Sequence, residues 1–249
     1  MRGLLRSELL KITSTRVALA LLAGCVAYVG IDVVALVFAS GQQGVPALTD
    51  PASVRNVFAG AGSASAIVLV AGILGMTSEY RYQTVTPTFL VTPRRGRVLT
   101  AKLVVHAAFG LVIGVVCAGF SAGLATALLT FKPHAPVSAS TVVQISAGTV
   151  LGYALFAVVG VSVGALVRNQ VAAIIGGLLW AVVIEALVVA FAPAVGKWLP
   201  GGALQGTLQA TSFNGGHLLS TWAGAVVLLA YAGVFAAVAA RTTLRQDVT

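Results

Sequence analysis

The chain has 249 residues, 58% of them hydrophobic and only 8% charged, with a mean hydropathy of +1.00 and a formal net charge of +9. That composition excludes an ordinary soluble domain, and the long apolar runs leave loops too short to hold an enzyme. The positive charge fits loops held against anionic headgroups rather than a nucleic-acid partner.

Residues 1–16 come first, and on a helical wheel Met1, Leu4, Leu5, Leu9 and Ile12 share an arc while Arg2, Arg6 and Thr13 lie off it. This predicts an amphipathic interfacial helix. Glu8 interrupts the apolar arc and is spaced to pair with Lys11 at i,i+3. Six apolar runs follow, at about 17–39, 57–77, 98–129, 141–167, 171–193 and 218–240. Each reaches the ~20 residues a helix needs to cross the hydrocarbon. Barrel strands would alternate in polarity and stop at ~10 residues. The first run is too long for a signal-peptide core and carries Asp32 within it, which predicts a retained span. The expected fold class is therefore an all-α membrane protein, a single transmembrane domain of six helices over 1–249.

The second span opens on Gly60-Ala61-Gly62-Ser63-Ala64-Ser65-Ala66, a thin stretch that either lines a pathway or packs tightly. The third, at ~50 Å for 1.5 Å per residue, exceeds the hydrocarbon thickness. Either its first turns, with Lys102 and His106, project into headgroups or cytoplasm, or the helix is tilted, and Thr92-Pro93 is its start signal. Gly110/Gly114, Gly119/Gly123, Gly148/Gly152 and Gly160/Gly164 are GxxxG pairs that predict close helix packing. Cys25 and Cys117 read as apolar fillers at different depths, without a disulfide or a metal site. Segment 194–217 mixes Trp198, Leu199, Leu204, Leu208 and Phe213 with glycines and Pro200. It is expected to form an outer hairpin that dips back into the membrane or caps the bundle.

Orientation follows from charge. Twelve of the 15 Lys+Arg lie before the first span, around the gap between spans two and three, between spans four and five, or after span six. Only Arg55, Lys132 and Lys197 fall in the other gaps. The positive-inside rule places both termini in the cytoplasm.

Chemistry is sparse. There is no phosphate-binding loop, no G-x-S-x-G, no H-E-x-x-H and no C-x-x-C. Two acids lie inside spans, Asp32 and Glu185, each ~21–22 Å from the inner helix end. An intramembrane carboxylate is costly unless paired, protonated or wetted. Each acid is either a substrate or proton site, or a structural group bonded to another helix or to Arg55 or Lys197. At helical spacing Leu178, Ala181, Val182, Val188 and Val189 offer Glu185 no partner on its own helix. The gap 78–97 has an acidic start, a short apolar centre (Val85, Phe89, Leu90) and a basic end, which makes it a docking element.

The stretch SEYRYQTVTPTFLVTPRRGRVLTAKL resembles the signature between spans two and three of ABC-2-type permeases, the membrane subunits of ATP-binding-cassette exporters. The opening SELLKITSTR is similar to that family's start, and the chain departs from the family pattern at Gln83, where Gly is common, and at Pro87. The resemblance implies a coupling segment to a cytoplasmic ATPase, with Glu79, Arg81, Thr84, Val85, Thr88, Phe89, Leu90, Arg94 and Arg95 as its residues. It implies two ATPase copies that carry ATP and Mg, a second permease subunit, and no cofactor or enzymatic activity on this chain. It further implies a bacterial cytoplasmic-membrane location, an outer re-entrant hairpin, and a pathway for an amphipathic or hydrophobic substrate between the two membrane halves, whose interface the first, second and fifth spans would line. A proton-coupled transporter acting alone, through Asp32 or Glu185, is the alternative, although the halves show no inverted repeat.

Overall fold

The computed structural model describes residues 1–42, 45–84, 95–210 and 217–245, and every regular element among them is helical. Six stretches are long and apolar enough to cross a membrane: Arg16–Ala39, Pro51–Arg81, Gly96–Leu129, Ala139–Val167, Gln170–Phe191 and Thr221–Thr242. In hydrocarbon such helices satisfy their own backbone groups, which open strands cannot do. Before them lies α1 (Arg2–Thr13), which packs on the first and third spans.

The first span is α2 (Arg16–Ala39). The second begins earlier than its hydropathy indicates and is broken. α3 (Pro51–Ala59) starts where the Asp50 side chain accepts from the Ala52 N–H at 2.9 Å and Pro51 takes the first helical position. A 3-10 turn, Gly60–Gly62, interrupts the helix before α4 (Ser65–Arg81) resumes. Tyr153 bridges the break: its hydroxyl donates to Ala61 O at 2.7 Å and accepts from Ala64 N at 3.2 Å. The thin, polar start of this span is therefore a packed joint. Gly60, Ala61, Gly62 and Ala64 are all buried.

The third span is α5 (Arg95–Leu129) and the fourth α6 (Ala139–Val167), whose first turn is capped by Ser138 accepting from Thr141 N. α6 is the hub, packed against α4, α5 and the last helix. Small residues permit this. A Cβ at Gly110 would stand 2.5 Å from Tyr153 O, and one at Gly114 2.7 Å from Val150 Cα. Gly160 and Gly164 meet α4 backbone at Leu69 and Ile73 in the same way. Gly148 and Gly152 meet Thr207, Leu208 and Leu204. A Cβ at Gly119 or Gly123 would meet nothing within 4 Å, so that pair makes no close helix contact among the described residues. Three of the four GxxxG pairs thus act as the packing rule requires.

The fifth span has three parts: α7 (Gln170–Leu178), a π-turn at Leu179–Ile184, and α8 (Glu185–Phe191). At Ala192–Pro193 the chain reverses. α9 (Pro193–Gly196) folds back on α8, where a Cβ at Gly196 would stand 2.7 Å from Val189 Cα. α10 (Pro200–Thr207) follows, and its Leu204, with the next residue Leu208, packs on Gly152, Gly148 and Gly62. Leu204 and Leu208 thus cover the bundle, whereas Trp198 is half exposed and Phe213 lies outside the described residues. The last span belongs to α11 (Thr221–Arg245), which packs on α6 and α10.

The register of α2 on α5 corrects one expectation. Gly30 faces Phe120, and Lys132 donates to Val37 O at 2.8 Å. This shift brings Cys25 and Cys117 to similar levels, because α5 runs several turns past the start of α2 toward α1. Both thiols are free and buried in one apolar cluster.

Candidate functional site

The turns of α5 that outrun α2 would leave a basic residue exposed if nothing covered them. They are covered by α1 and by the end of α4. Lys102 and His106 are buried within the protein, at 0% and 3% exposure. The physical reason is charge pairing. Lys102 Nζ donates to Glu8 Oε2 at 2.8 Å, to Glu79 Oε1 at 2.7 Å and to Gly75 O at 3.3 Å. An ammonium has three donors, and all three are used.

Lys11 completes the cluster. Its Nζ donates to Glu8 Oε1 and to Glu79 Oε1, both at 2.6 Å. Two carboxylates and two ammonium groups therefore join α1, α4 and α5 with no net charge. Glu8 marks the face of α1 turned to the protein rather than a flaw in its apolar arc, and the i,i+3 pair with Lys11 forms as its spacing predicts. Burial alone would raise the Glu8 carboxyl, but the neighbouring Lys102 and then Lys11 hold it below its ordinary value. Burial would likewise depress Lys11, and its hydrogen bonds to Glu79 and Glu8 raise it instead. Beside the cluster, His106 Nδ1 lies 2.9 Å from Lys102 O. A carbonyl only accepts, so Nδ1 carries the proton. His106 Nε2 points at Gly75 so closely that no side chain fits there.

Glu79 also closes α4. Thr84 N donates to Glu79 O at 3.0 Å and Gln83 N to Tyr80 O at 3.3 Å, the paired bonds of a Schellman end. This turn puts Gln83 at φ 56°, the left-handed region that glycine adopts without strain. A glutamine at this position therefore carries a local backbone cost.

The residues expected to couple to an ATPase are divided by the structure. Glu79 is turned inward. Arg81 is exposed, with Nη1 3.4 Å from Gln170 Oε1 and its guanidinium 5.7 Å from the Tyr82 ring centroid. Thr84 is exposed. Val85, Thr88, Phe89, Leu90 and Arg94 lie outside the described residues, as does the Thr92-Pro93 start signal, and Arg95 is the first residue of α5.

The two intramembrane acids stand apart. Asp32 borders the 3-10 turn, where a Cβ at Gly60 would stand 2.9 Å from its Oδ2. Glu185 is buried at 4% exposure. Its Oε1 accepts from Trp180 Nε1 at 2.9 Å and its Oε2 from Gly201 N at 2.6 Å. Among the described residues neither acid forms a salt bridge with Arg55 or Lys197. The expectation that Glu185 lacks a partner on its own helix is overturned. The π-turn brings residues five apart onto one face, a spacing that α-helical reasoning does not sample.

Among the described residues no group of His, Cys, Asp and Glu could hold a metal ion. What the Glu8–Lys102 cluster can do is mechanical: it makes α1 and the facing ends of α4 and α5 one rigid unit. No family model matches the chain, and none of the curated proteins matches it.

Proposed function

We propose that this chain is the membrane subunit of an ATP-binding-cassette exporter of the ABC-2 type, driven by ATP hydrolysis on a separate ATPase. The observation that carries the reading is the ion cluster of buried Glu8, Glu79 and Lys102 with half-exposed Lys11 at its rim. It clamps α1 to the two helix ends that flank residues 85–94, the stretch whose sequence resembles the coupling segment. A push delivered there by a partner would reach α1, α4 and α5 together, as a rigid-body shift requires.

In this reading both termini and the cluster face the cytoplasm of a bacterial cell, and ATP and Mg sit on two copies of the partner. The α9–α10 hairpin enters the membrane from the opposite side. A second permease copy covers the first and fifth spans, which are the least buried within the chain, at 22% and 6%. A drug-like, peptide or lipid-like substrate passes between the two halves. Both Glu185 oxygens being engaged by neutral donors supports a structural role for it over proton carriage.

Replacing Phe89 with Asp tests the proposal, because it places a charge at the apolar centre of the coupling segment. Affinity purification from the native host should recover an ATPase with a phosphate-binding loop alongside the wild-type chain. The variant should insert normally and lose most of that ATPase. Recovery of no such ATPase with wild type, or equal recovery with both, would overturn the assignment.

A further inference from the structure

The fifth span is anchored unlike any other. Only 6% of its apolar window is buried, against 67% for the second span. In α7 the one buried residue is Ala173, the π-turn has none, and in α8 the one buried residue is Glu185. Beyond the π-turn, α8 packs on the hairpin helices α9 and α10. Of these, α10 is in turn held by α6 and α11. The distal half of the span therefore reaches the bundle through the hairpin, and the polar part of that attachment is the Glu185 carboxylate.

We propose that α8 is a movable arm, hinged at the Leu179–Ile184 π-turn and latched to the hairpin by Glu185. Three features carry this. First, the carboxylate accepts from two helical elements at once, the indole of Trp180 within the hinge and the Gly201 N–H in the first turn of α10. That amide is one of the donors a helix start leaves without an internal partner. Second, one of these two bonds exists only while the hinge is π-helical. In a regular α-helix, residues five apart point ~140° away from each other at 3.6 residues per turn. Relaxation of the π-turn to α would withdraw the Trp180 indole from Glu185. Third, the fit is tight at the latch, since a Cβ at Gly201 would overlap Glu185 Oε2. The outward side of the arm, with Leu187 and Phe191 exposed, meets nothing among the described residues that opposes its swing. The arm and its latch do not depend on whether an ATPase or another energy source drives the protein.

Spin-label distances in lipid nanodiscs test the proposal. In a background of Cys25→Ala and Cys117→Ala, labels are placed at the exposed positions Leu187 on the arm and Val226 on α11. Labelled chains are diluted with unlabelled ones, so that distances arise within one chain. The full chain should give one dominant distance. Glu185→Gln retains one acceptor and replaces the other with a donor. It should raise the ratio of displaced to docked arm about ten-fold, as expected for a lost hydrogen bond to a charged group. Trp180→Phe removes only the indole donor and should shift the population in the same direction. A control pair at Val143 on α6 and Val226 should remain as in wild type. An unchanged 187–226 distance in both variants would overturn the latch. A changed 143–226 distance would also overturn it, since Glu185 would then hold the whole bundle rather than the arm.

Discussion

Two buried carboxylate sites, at opposite ends of the bundle, meet the same problem in different ways. At the α1 end, Glu8 and Glu79 are neutralised by Lys11 and Lys102 across three helices. At the other end, Glu185 is held by an indole and a backbone amide, with no cation bonded to it among the described residues. A charge matched by opposite charge in a buried place is costly to break, because the remaining partner is left unpaired. A carboxylate held by neutral donors loses one or two hydrogen bonds when released. The difference suits a permanent joint at the first site and a releasable one at the second.

The largest expected effect is at Lys102. Lys102→Met leaves Glu8 and Glu79 with Lys11 alone and should cost about 3–5 kcal/mol, the usual penalty for breaking a buried pair. Thermal unfolding in detergent measures it. Adding Glu8→Leu and Glu79→Leu should restore much of the loss, because the apolar set buries no orphan charge. A single variant as stable as wild type would erase the contrast between the two ends.

Glu185→Gln should cost less, roughly 1.5–3 kcal/mol in the same assay, since it removes one charge-assisted hydrogen bond and leaves no buried counter-charge. If its cost equals that of Lys102→Met, the two sites are of one kind.

A smaller effect in the opposite direction is expected beside the first site. Gln83→Gly relieves the left-handed backbone at the end of α4 and should stabilise the protein by about 1 kcal/mol. A loss of stability would mean that the Gln83 side chain matters more than its φ.

The mildest perturbation is pH. Glu8 has a lowered value when folded, so its contribution is present above the ordinary carboxylate range and is lost as pH falls through the lowered value. Lys11 has a raised value, so its contribution is full below the ordinary lysine value and is lost as pH rises through the raised one. A mobility probe at the exposed Leu9, in a cysteine-free background, should report α1 docked across the neutral range and released at both extremes. Release between pH 6 and 8 would contradict this order, since neither group titrates there.

Much of the architecture is legible in the sequence because it follows from hydropathy and length alone. Six apolar runs become six helices able to span a membrane, and Gly110, Gly114, Gly160 and Gly164 become helix contacts. Local chemistry also reads through, since the Glu8–Lys11 spacing produces the expected pair. The start of the second span at Pro51 escapes a hydropathy window because Arg55 and Asn56 are polar, although Asp50-Pro51 is a capping signal in plain view.

Other features depend on which surfaces meet. Lys102 looks like a headgroup contact until α1 and α4 cover it, and no pattern on α5 alone encodes that. Gly119 and Gly123 have the same spacing as the glycines that pack, yet face no helix among the described residues. Trp180 and Glu185 are partners only because one helix takes a π-turn, which no period of 3.6 predicts. The sequence by itself determined that the chain is helical and able to span a membrane, because the cost of unsatisfied backbone in hydrocarbon leaves little choice. Only the tertiary structure decided which charges are joined and which half of the fifth span is latched. Those outcomes depend on atoms far apart in the chain coming within 3 Å of each other.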